Sequence, residues 1–241
     1  MSASGLDGKV ALITGGGSGV GAEIARSLSA LGVHTMLAGR RDDRLRSVSA
    51  ELVTPGVTFA CDLTAPGSAE SLVQATVERF DRLDVVVHSA GTFEKRAIQA
   101  SDDDFLHRIL EVNLSTAVSV TRVAWSHLCD STGQVVLISS AAALRGFPDN
   151  TAYAASKGAM NAVGEVLREE GRPHGIRVLT LCPAQIDTEL WDEIAPDSVR
   201  ARMMRVHGVG DLVAALVATD RSIDFGPVSI QPPTNPWTEA D

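Results

Sequence analysis

Tyr153 is the only tyrosine of this 241-residue chain, and Lys157 follows it at a spacing of four. Residues four apart share one face of a helix, so a phenol and an ammonium placed there point the same way. The small residues Ala154, Ala155, Ser156, Gly158 and Ala159 around them read as a closely packed helix face. A free phenol has a pKa of about 10 and exchanges protons poorly at neutral pH. A fixed cation beside it favours the phenolate and lowers that value. Moving it to about 7 takes roughly 4 kcal/mol, at about 1.36 kcal/mol per unit, which calls for a partly desolvated lysine and a second positive centre. The pair is therefore a candidate for acid–base chemistry near neutral pH. A solvated Tyr–Lys pair on a helix surface is the alternative, and the rest of the chain argues against it.

A second motif predicts the co-reactant. Thr14-Gly15-Gly16-Gly17-Ser18-Gly19-Val20-Gly21 follows a predicted first strand and opens a predicted helix. Glycines there permit a tight turn and let the backbone approach a pyrophosphate, whose charge meets the helix N-terminus. Strand before and helix after make this a dinucleotide signal, and no GxxxxGK[ST] run suggests a nucleotide triphosphatase. Where the second strand ends, an acid that reads a ribose 2′-hydroxyl is expected for NAD. The chain has Ala38-Gly39-Arg40-Arg41-Asp42 instead. Guanidiniums grip a phosphate bidentately, so Arg40 and Arg41 predict NADP(H), with NAD(H) as the alternative. The competing reading makes them a solvated helix start with Asp42 and Asp43 as caps.

The elements that must position these groups alternate along the chain. Short β-branched runs at 10–14, 34–38, 57–60, 85–88, 135–139, 178–181 and 227–230 predict strands. Between them lie amphipathic stripes such as Ile24, Leu28, Leu31 and Phe105, Ile109, Val112. This alternation predicts an α/β fold of right-handed βαβ units, with a mainly parallel seven-stranded sheet covered by helices on both faces. Length fits one domain. The tail 231–241, with Pro232, Pro233 and Pro236, is expected to be irregular and to reach across a subunit contact.

With both motifs in place, the chain resembles the short-chain dehydrogenase/reductase family over nearly its whole length, in its compact single-domain form. Thr14–Gly21 matches the family's TGxxxGxG at Gly15, Gly19 and Gly21. Cys61-Asp62-Leu63 matches the acidic position after the third strand, where the resemblance implies an adenine contact by Asp62. His88-Ser89-Ala90-Gly91 stands where the family usually has NNAG, so two asparagines are replaced while Ala90 and Gly91 are kept. Asn113 matches a helix-breaking asparagine, and Ser140 precedes Tyr153 by thirteen residues, as in the family. Pro183-Ala184-Gln185-Ile186-Asp187-Thr188 resembles the PGxxxT run that holds the nicotinamide end, with Ala184 in place of glycine. The glycine-rich ending common in the family is missing from 227–232.

The resemblance implies a Rossmann-like doubly wound fold. It also implies hydride transfer between a nicotinamide and a carbonyl or secondary alcohol, a ketoreductase or alcohol dehydrogenase activity. Tyr153 would give the proton to the developing alkoxide or take it in reverse. Lys157 would acidify Tyr153 and hold the nicotinamide ribose, the oxidised nicotinamide adding the second positive charge. Ser140 would bind the substrate oxygen, and Asn113 a water linking Lys157 to solvent. The expected cofactor contacts are Gly15, Gly17, Ser18, Gly19, Val20, Gly21, Arg40, Arg41, Asp62, Leu63, Ala90, Gly91, Tyr153, Lys157, Pro183, Ala184, Ile186 and Thr188. Leu190, Trp191, Ile194, Met203 and Met204, with Phe93, Leu144 and Phe147, predict an apolar pocket for a hydrophobic ketone, although Trp191 and the methionines serve equally as lid packing. A homodimer or homotetramer is implied, with Ala117, Val120, Ala124 and Val163 fitting either a helix-to-helix contact or plain core. The rival from another class is a dinucleotide-binding redox sensor without turnover. An NAD-dependent alcohol dehydrogenase, an epimerase or a dehydratase are rivals on the same fold.

Bulk properties restrict the field further. A formal net charge of −9 opposes binding to a phosphate backbone, so no nucleic-acid partner is expected. The cysteines (Cys61, Cys129, Cys182) are odd in number and lack CxxC spacing, and the histidines form no ligand pair, so neither a disulfide framework nor a metal site is expected. The N-terminal run lacks a basic and then apolar signal pattern, and no apolar stretch approaches the roughly 20 residues of a membrane span. A cytoplasmic enzyme without a membrane partner is the expectation.

Overall fold

The computed structural model describes residues 5–238, so residues 239–241 of the tail lie outside the described residues. Strands and helices follow one another as β1 (Val10–Thr14), α1 (Gly19–Ala30), β2 (His34–Gly39), α2 (Asp42–Ala50), β3 (Val57–Ala60), α3 (Ser68–Phe80), β4 (Val85–His88), α4 (Asp103–Leu110), α5 (Thr116–Ser131), β5 (Gln134–Ile138), α6 (Thr151–Gly171) and β6 (Arg177–Pro183). Then come β7 (Ile186–Asp187), α7 (Asp197–Arg200), β8 (Met204–Arg205), α8 (Val206–Val217) and β9 (Val228–Ile230). Seven strands form one sheet in the order β3-β2-β1-β4-β5-β6-β9, every pair parallel. The fold is Rossmann-like α/β. Because β1 pairs with both β2 and β4, strand order reverses there, and a crevice opens at the C-terminal ends of β1 and β4.

Side chains alternate across each strand, so the sheet buries two apolar layers. Ala11 and Ile13 face a core with Ile24, Leu28 and Val213 of α1 and α8, while Leu12 faces Leu72, Val120, Leu128 and Met160 of α3, α5 and α6. Each such large side chain contributes roughly 1.5–3 kcal/mol when fully buried. Ala117, Val120 and Ala124 belong to this second core, at 7%, 0% and 0% exposure. They act as plain core within the chain. Helices α1 and α8 cross closely at Gly210, where a Cβ would lie 2.7 Å from the Glu23 backbone.

Four strands depart from the expected bounds at one end or both, and two of these now begin at a polar residue. β5 begins at Gln134 and β6 at Arg177, polar residues that hydrophobic periodicity discounts. They pair directly across the ladder, and both are buried because their side chains satisfy each other. Arg177 Nη2 and Nε donate to Gln134 Oε1 at 2.7 and 3.0 Å. The guanidinium also donates to the carbonyls of Leu216, Val217, Thr219, Asp220 and Ile223. A cation thus closes the C-terminal turn of α8, where carbonyls lack helical partners and the helix dipole is negative. Replacing Arg177 with Met keeps much of the stem but strands several buried carbonyls. We expect a loss of about 3 kcal/mol in urea unfolding, with dinucleotide binding at the far end of the sheet unchanged. A loss below about 0.5 kcal/mol, the range of an ordinary surface change, would show that the hub is dispensable.

Candidate active site

At the C-terminal ends of the strands lies a cleft of about 830 Å³. Its phosphate end is built by the Gly-rich turn after β1. Gly15 takes a φ of +69°, and a Cβ there would lie 2.7 Å from Ala90 N, so the turn lies directly on the loop after β4. Gly21 seats α1 on the turn, since a Cβ would come within 2.4 Å of the Gly15 carbonyl oxygen. Ser18 is the N-cap residue of α1 but makes no side-chain cap hydrogen bond. Its hydroxyl accepts instead from Arg41 Nη2 at 3.2 Å. Ser18, Gly19 and Val20 line the cleft, so the start of α1 offers N–H groups and the positive end of its dipole to an anion there.

The reacting end is carried by β5 and α6. Ser140 stands just past β5, and its Oγ accepts from Ala142 N at 3.1 Å, which fixes its rotamer at the start of a short 3-10 turn. Tyr153 and Lys157 lie on α6, one turn apart and on the same face, with Nζ 5.8 Å from the centre of the phenol ring. Lys157 is 6% exposed, and its Nζ donates to the Ile138 carbonyl at 2.9 Å. The expected acidification of Tyr153 does not follow from the chain's own groups. Burial raises the phenol's pKa, with only the hydrogen bond to Ser140 opposing it. Burial likewise brings Lys157 down to about 8. The physical reason is that removing water penalises the charged form of both groups.

Asn113 sits mid-way along a π-helical turn, Glu111–Ser115, between α4 and α5. The widened turn aims its amide at the loop after β4: Oδ1 accepts from Thr92 N at 2.7 Å, and Nδ2 donates to Thr92 O and Ser156 Oγ, both at 3.0 Å. Both amide hydrogens are committed, so a relay water of the kind the resemblance implies has only oxygen lone pairs to bind here. A Cβ on Gly91 would lie 3.2 Å from Asn113 Oδ1 and 3.7 Å from Lys157 Nζ, so glycine keeps the space over the lysine open.

Of the expected contacts, Gly15, Ser18, Gly19, Val20, Ala90, Gly91, Ser140, Tyr153, Lys157, Pro183, Ala184, Ile186 and Thr188 all line this cleft. The others stand behind it or beside it. Gly17 packs against Arg44 and Leu45, Gly21 against Gly15, and Leu63 against the second core. Asp62 Oδ1 accepts from Thr64 N and Oγ1, which together with the more remote Arg40 charge hold its carboxyl below the usual range. Arg40 and Arg41 are both exposed, and of these two it is Arg41 that hydrogen-bonds the Gly-rich turn, at Ser18. Arg44, which sequence reasoning missed, stands beside it on α2. Glu189 holds both, at 3.1 Å from Arg44 and 3.8 Å from Arg41. The signal available was the i,i+3 spacing of 41 and 44 at a helix start. In the predicted apolar pocket, Phe93, Phe147, Leu190 and Trp191 line the cleft. Leu144 is exposed, Met203 packs with Ala195, Val199 and Trp191, and Met204 packs on the first core. Asn150, Asn235 and Trp237 line it as well, unforeseen from the sequence.

The departure at His88 has its own account. The ring is fully buried at the end of β4, its Nε2 2.7 Å from Thr121 Oγ1, while Nδ1 has no partner. A protonated ring would bury an N–H without an acceptor, and burial takes its pKa from 6.5 down to about 3. A histidine so depressed costs nothing above its unfolded value. Stability then falls as pH drops from about 6.5 towards about 3, because the unfolded chain takes up the proton first. Between pH 7 and pH 5 the wild type should lose about 2 kcal/mol more than His88→Asn in urea unfolding. Parallel stability–pH curves for the two proteins would remove this account of His88.

Comparison with known proteins agrees with this geometry. The family model described as short chain dehydrogenase matches residues 9–198. L-fucose dehydrogenase of Bos taurus is 35% identical over 190 residues, 78% of this chain and 70% of that protein. An uncharacterized oxidoreductase of Staphylococcus epidermidis is 26% identical, covering 93% of this chain and 97% of its own. A short chain dehydrogenase from Burkholderia cenocepacia, solved in complex with NADP, superposes with a TM-score of 0.86 at 29% identity, over 93% of this chain and 97% of that one. A Gly-rich turn under a helix start, a Tyr–Lys pair on one helix face and this sheet order therefore coincide with sequence kinship, and the chain belongs to the short-chain dehydrogenase family of oxidoreductases.

Proposed function

We propose that the chain is an NADP(H)-dependent ketoreductase, interconverting a hydrophobic ketone and its secondary alcohol. The observation that carries this is one cleft with an anion-ready helix start at one end and Ser140, Tyr153 and Lys157 at the other. The residues fit a dinucleotide because the uncapped start of α1 and the space kept by Gly91 lie along the same cleft. Gly15, Ser18, Gly19 and Val20 would hold its pyrophosphate. Ala90 and Gly91 would hold its middle, and Lys157, Pro183, Ala184, Ile186 and Thr188 its nicotinamide end. When bound, the cofactor supplies hydride chemistry.

The chain's own groups do the rest. Ser140 Oγ is fixed at the floor of the cleft and donates to the substrate oxygen, stabilising charge that develops there. Tyr153 Oη gives its proton to the same oxygen; burial keeps the phenol protonated, which suits ketone reduction. Lys157, its pKa brought to about 8, is cationic at neutral pH and favours the phenolate left behind. Asn113 is a positioning residue that ties Thr92 and Ser156 together beneath it. Phe93, Phe147, Leu190 and Trp191 give the substrate end its apolar lining. In Tyr153→Phe we expect kcat to fall by roughly 10²–10⁴-fold with NADPH binding nearly unchanged. A Tyr153→Phe enzyme with near-normal kcat refutes the assignment.

Arg41 and Arg44 would take the 2′-phosphate of NADP(H), a role supported by their place beside the Gly-rich turn. That phosphate competes with Glu189, whose carboxylate they hold already. Exposed pairs of this kind are worth up to about 1 kcal/mol. Glu189→Gln should therefore bind NADPH up to about 5-fold more tightly and NADH unchanged, while Arg41→Ala loses NADPH affinity alone. The measurement is a nicotinamide fluorescence titration at low and high salt. Tighter binding of NADH than of NADPH by the wild type would overturn the choice of cofactor.

A further inference from the structure

Four aromatic rings run in sequence from the reacting end of the cleft to the C-terminal tail. Phe93 meets Tyr153 edge-on with centroids 4.9 Å apart, and Trp191 lies 6.0 Å from Phe93. Trp237 follows at 6.2 Å from Trp191, the two planes inclined by 58°. Trp191 belongs to the loop after Thr188, whereas Trp237 comes from the tail, which the mechanism above leaves unused. The tail is fastened to its own chain. Pro232 and Pro236 are buried, and Asn235 Oδ1 accepts from Trp237 N at 3.1 Å. Arg202 Nη1 donates to the Thr238 carbonyl at 2.8 Å, joining the tail to the same segment that carries Trp191.

Trp237 nevertheless remains 46% exposed, and Leu190 beside Trp191 remains 44% exposed, although both line the cleft. Aromatic side chains carry large apolar area and few torsions, so a fixed ring at the mouth of a site offers a flat face at low entropic cost. A ligand that covered these faces would remove apolar area from water without further ordering of the chain.

We propose that Trp237 is the outer wall of the substrate end and selects ketones carrying a planar apolar group beyond the carbonyl. The proposal deepens the ketone-reducing reading and rests on it for the reaction, though not for the binding. Trp237 touches no reacting atom. It is a positioning residue acting on the distal part of the substrate, so its removal moves KM and leaves kcat.

The test compares wild type, Trp237→Ala and Trp237→Phe with two probes, a naphthyl methyl ketone and butanone. Steady-state constants are measured with NADPH, and the naphthyl ketone is also titrated alone by quenching of tryptophan fluorescence. In Trp237→Ala, KM and Kd for the naphthyl ketone should rise roughly tenfold, with kcat, the butanone constants and the NADPH Kd held within about twofold. Trp237→Phe should restore most of the loss. An unchanged KM and Kd for the naphthyl ketone, an equal change for both ketones, or no binding of the naphthyl ketone to wild type would each overturn the proposal. If wild type binds the naphthyl ketone in a Trp237-dependent manner yet oxidises no NADPH with either probe, the ketone-reducing reading fails and the wall stands.

Discussion

The site depends on keeping an ammonium inside the protein. Lys157 is 6% exposed, and its Nζ is held by the Ile138 carbonyl at the end of β5. Burying an unpaired ion costs several kcal/mol unless something offsets it, so the sheet must supply a rigid dipole at that point. It does so because β5 is a central strand paired on both sides, which fixes where Ile138 points its carbonyl. The same burial that lowers the lysine's pKa raises that of the phenol. The two groups are thus poised in opposite directions by one cause. A bound cation or dipole between them would shift both at once.

A second constraint holds the opposite wall. The loop after β4 must stay where it leaves room over Lys157, and Asn113 pins it through two hydrogen bonds between its side-chain amide and the Thr92 backbone. A regular helix would turn residue 113 by about 100° per position relative to its neighbours and keep its backbone spent on itself. The π turn at Glu111–Ser115 alters that phase at one place. Such bulges often accompany functional sites because they re-aim a single side chain without breaking the helix. Ser156 shares the same asparagine, so α6 and the loop cannot shift independently.

Much of this was legible from local spacing. Tyr153 and Lys157 had to share a helix face, and a Gly-rich turn between strand and helix had to open on the cleft; both are short-range statements. The alternation of strands and helices gave the parallel sheet for the same reason. What escaped depends on contacts between distant parts. Gln134 and Arg177 read as strand boundaries because each is polar, and only their pairing makes them buried strand residues. Arg44 carries no sign of Glu189, 145 residues away, and nothing local shows that Arg41 bonds Ser18. Spacing likewise says nothing of desolvation, so the rise that burial gives the Tyr153 pKa had no local sign.

The tail supplies another long-range contact that bears on the proposed substrate end. Three prolines predict irregular backbone, and irregular backbone at a terminus suggested a reach towards another subunit. Here Ala184 N donates to the Ile230 carbonyl at 2.9 Å, so the chain leaves β9 already beside the PGxxxT-like run. From there Pro232 and Pro236 are buried, and the course they set brings Trp237 over the chain's own cleft. Proline restricts the backbone and lowers the entropy lost when the segment packs. A tail of this composition therefore suits a fixed place beside the cleft. The proposed substrate end is then bounded by residues from the loop after β4, the loop after Thr188 and the last turn of the chain; the first two also touch the phosphate end, through Ala90 against Gly15 and Glu189 against Arg44. Changes in the tail are thus the ones that would alter the proposed substrate end with least effect on the phosphate end.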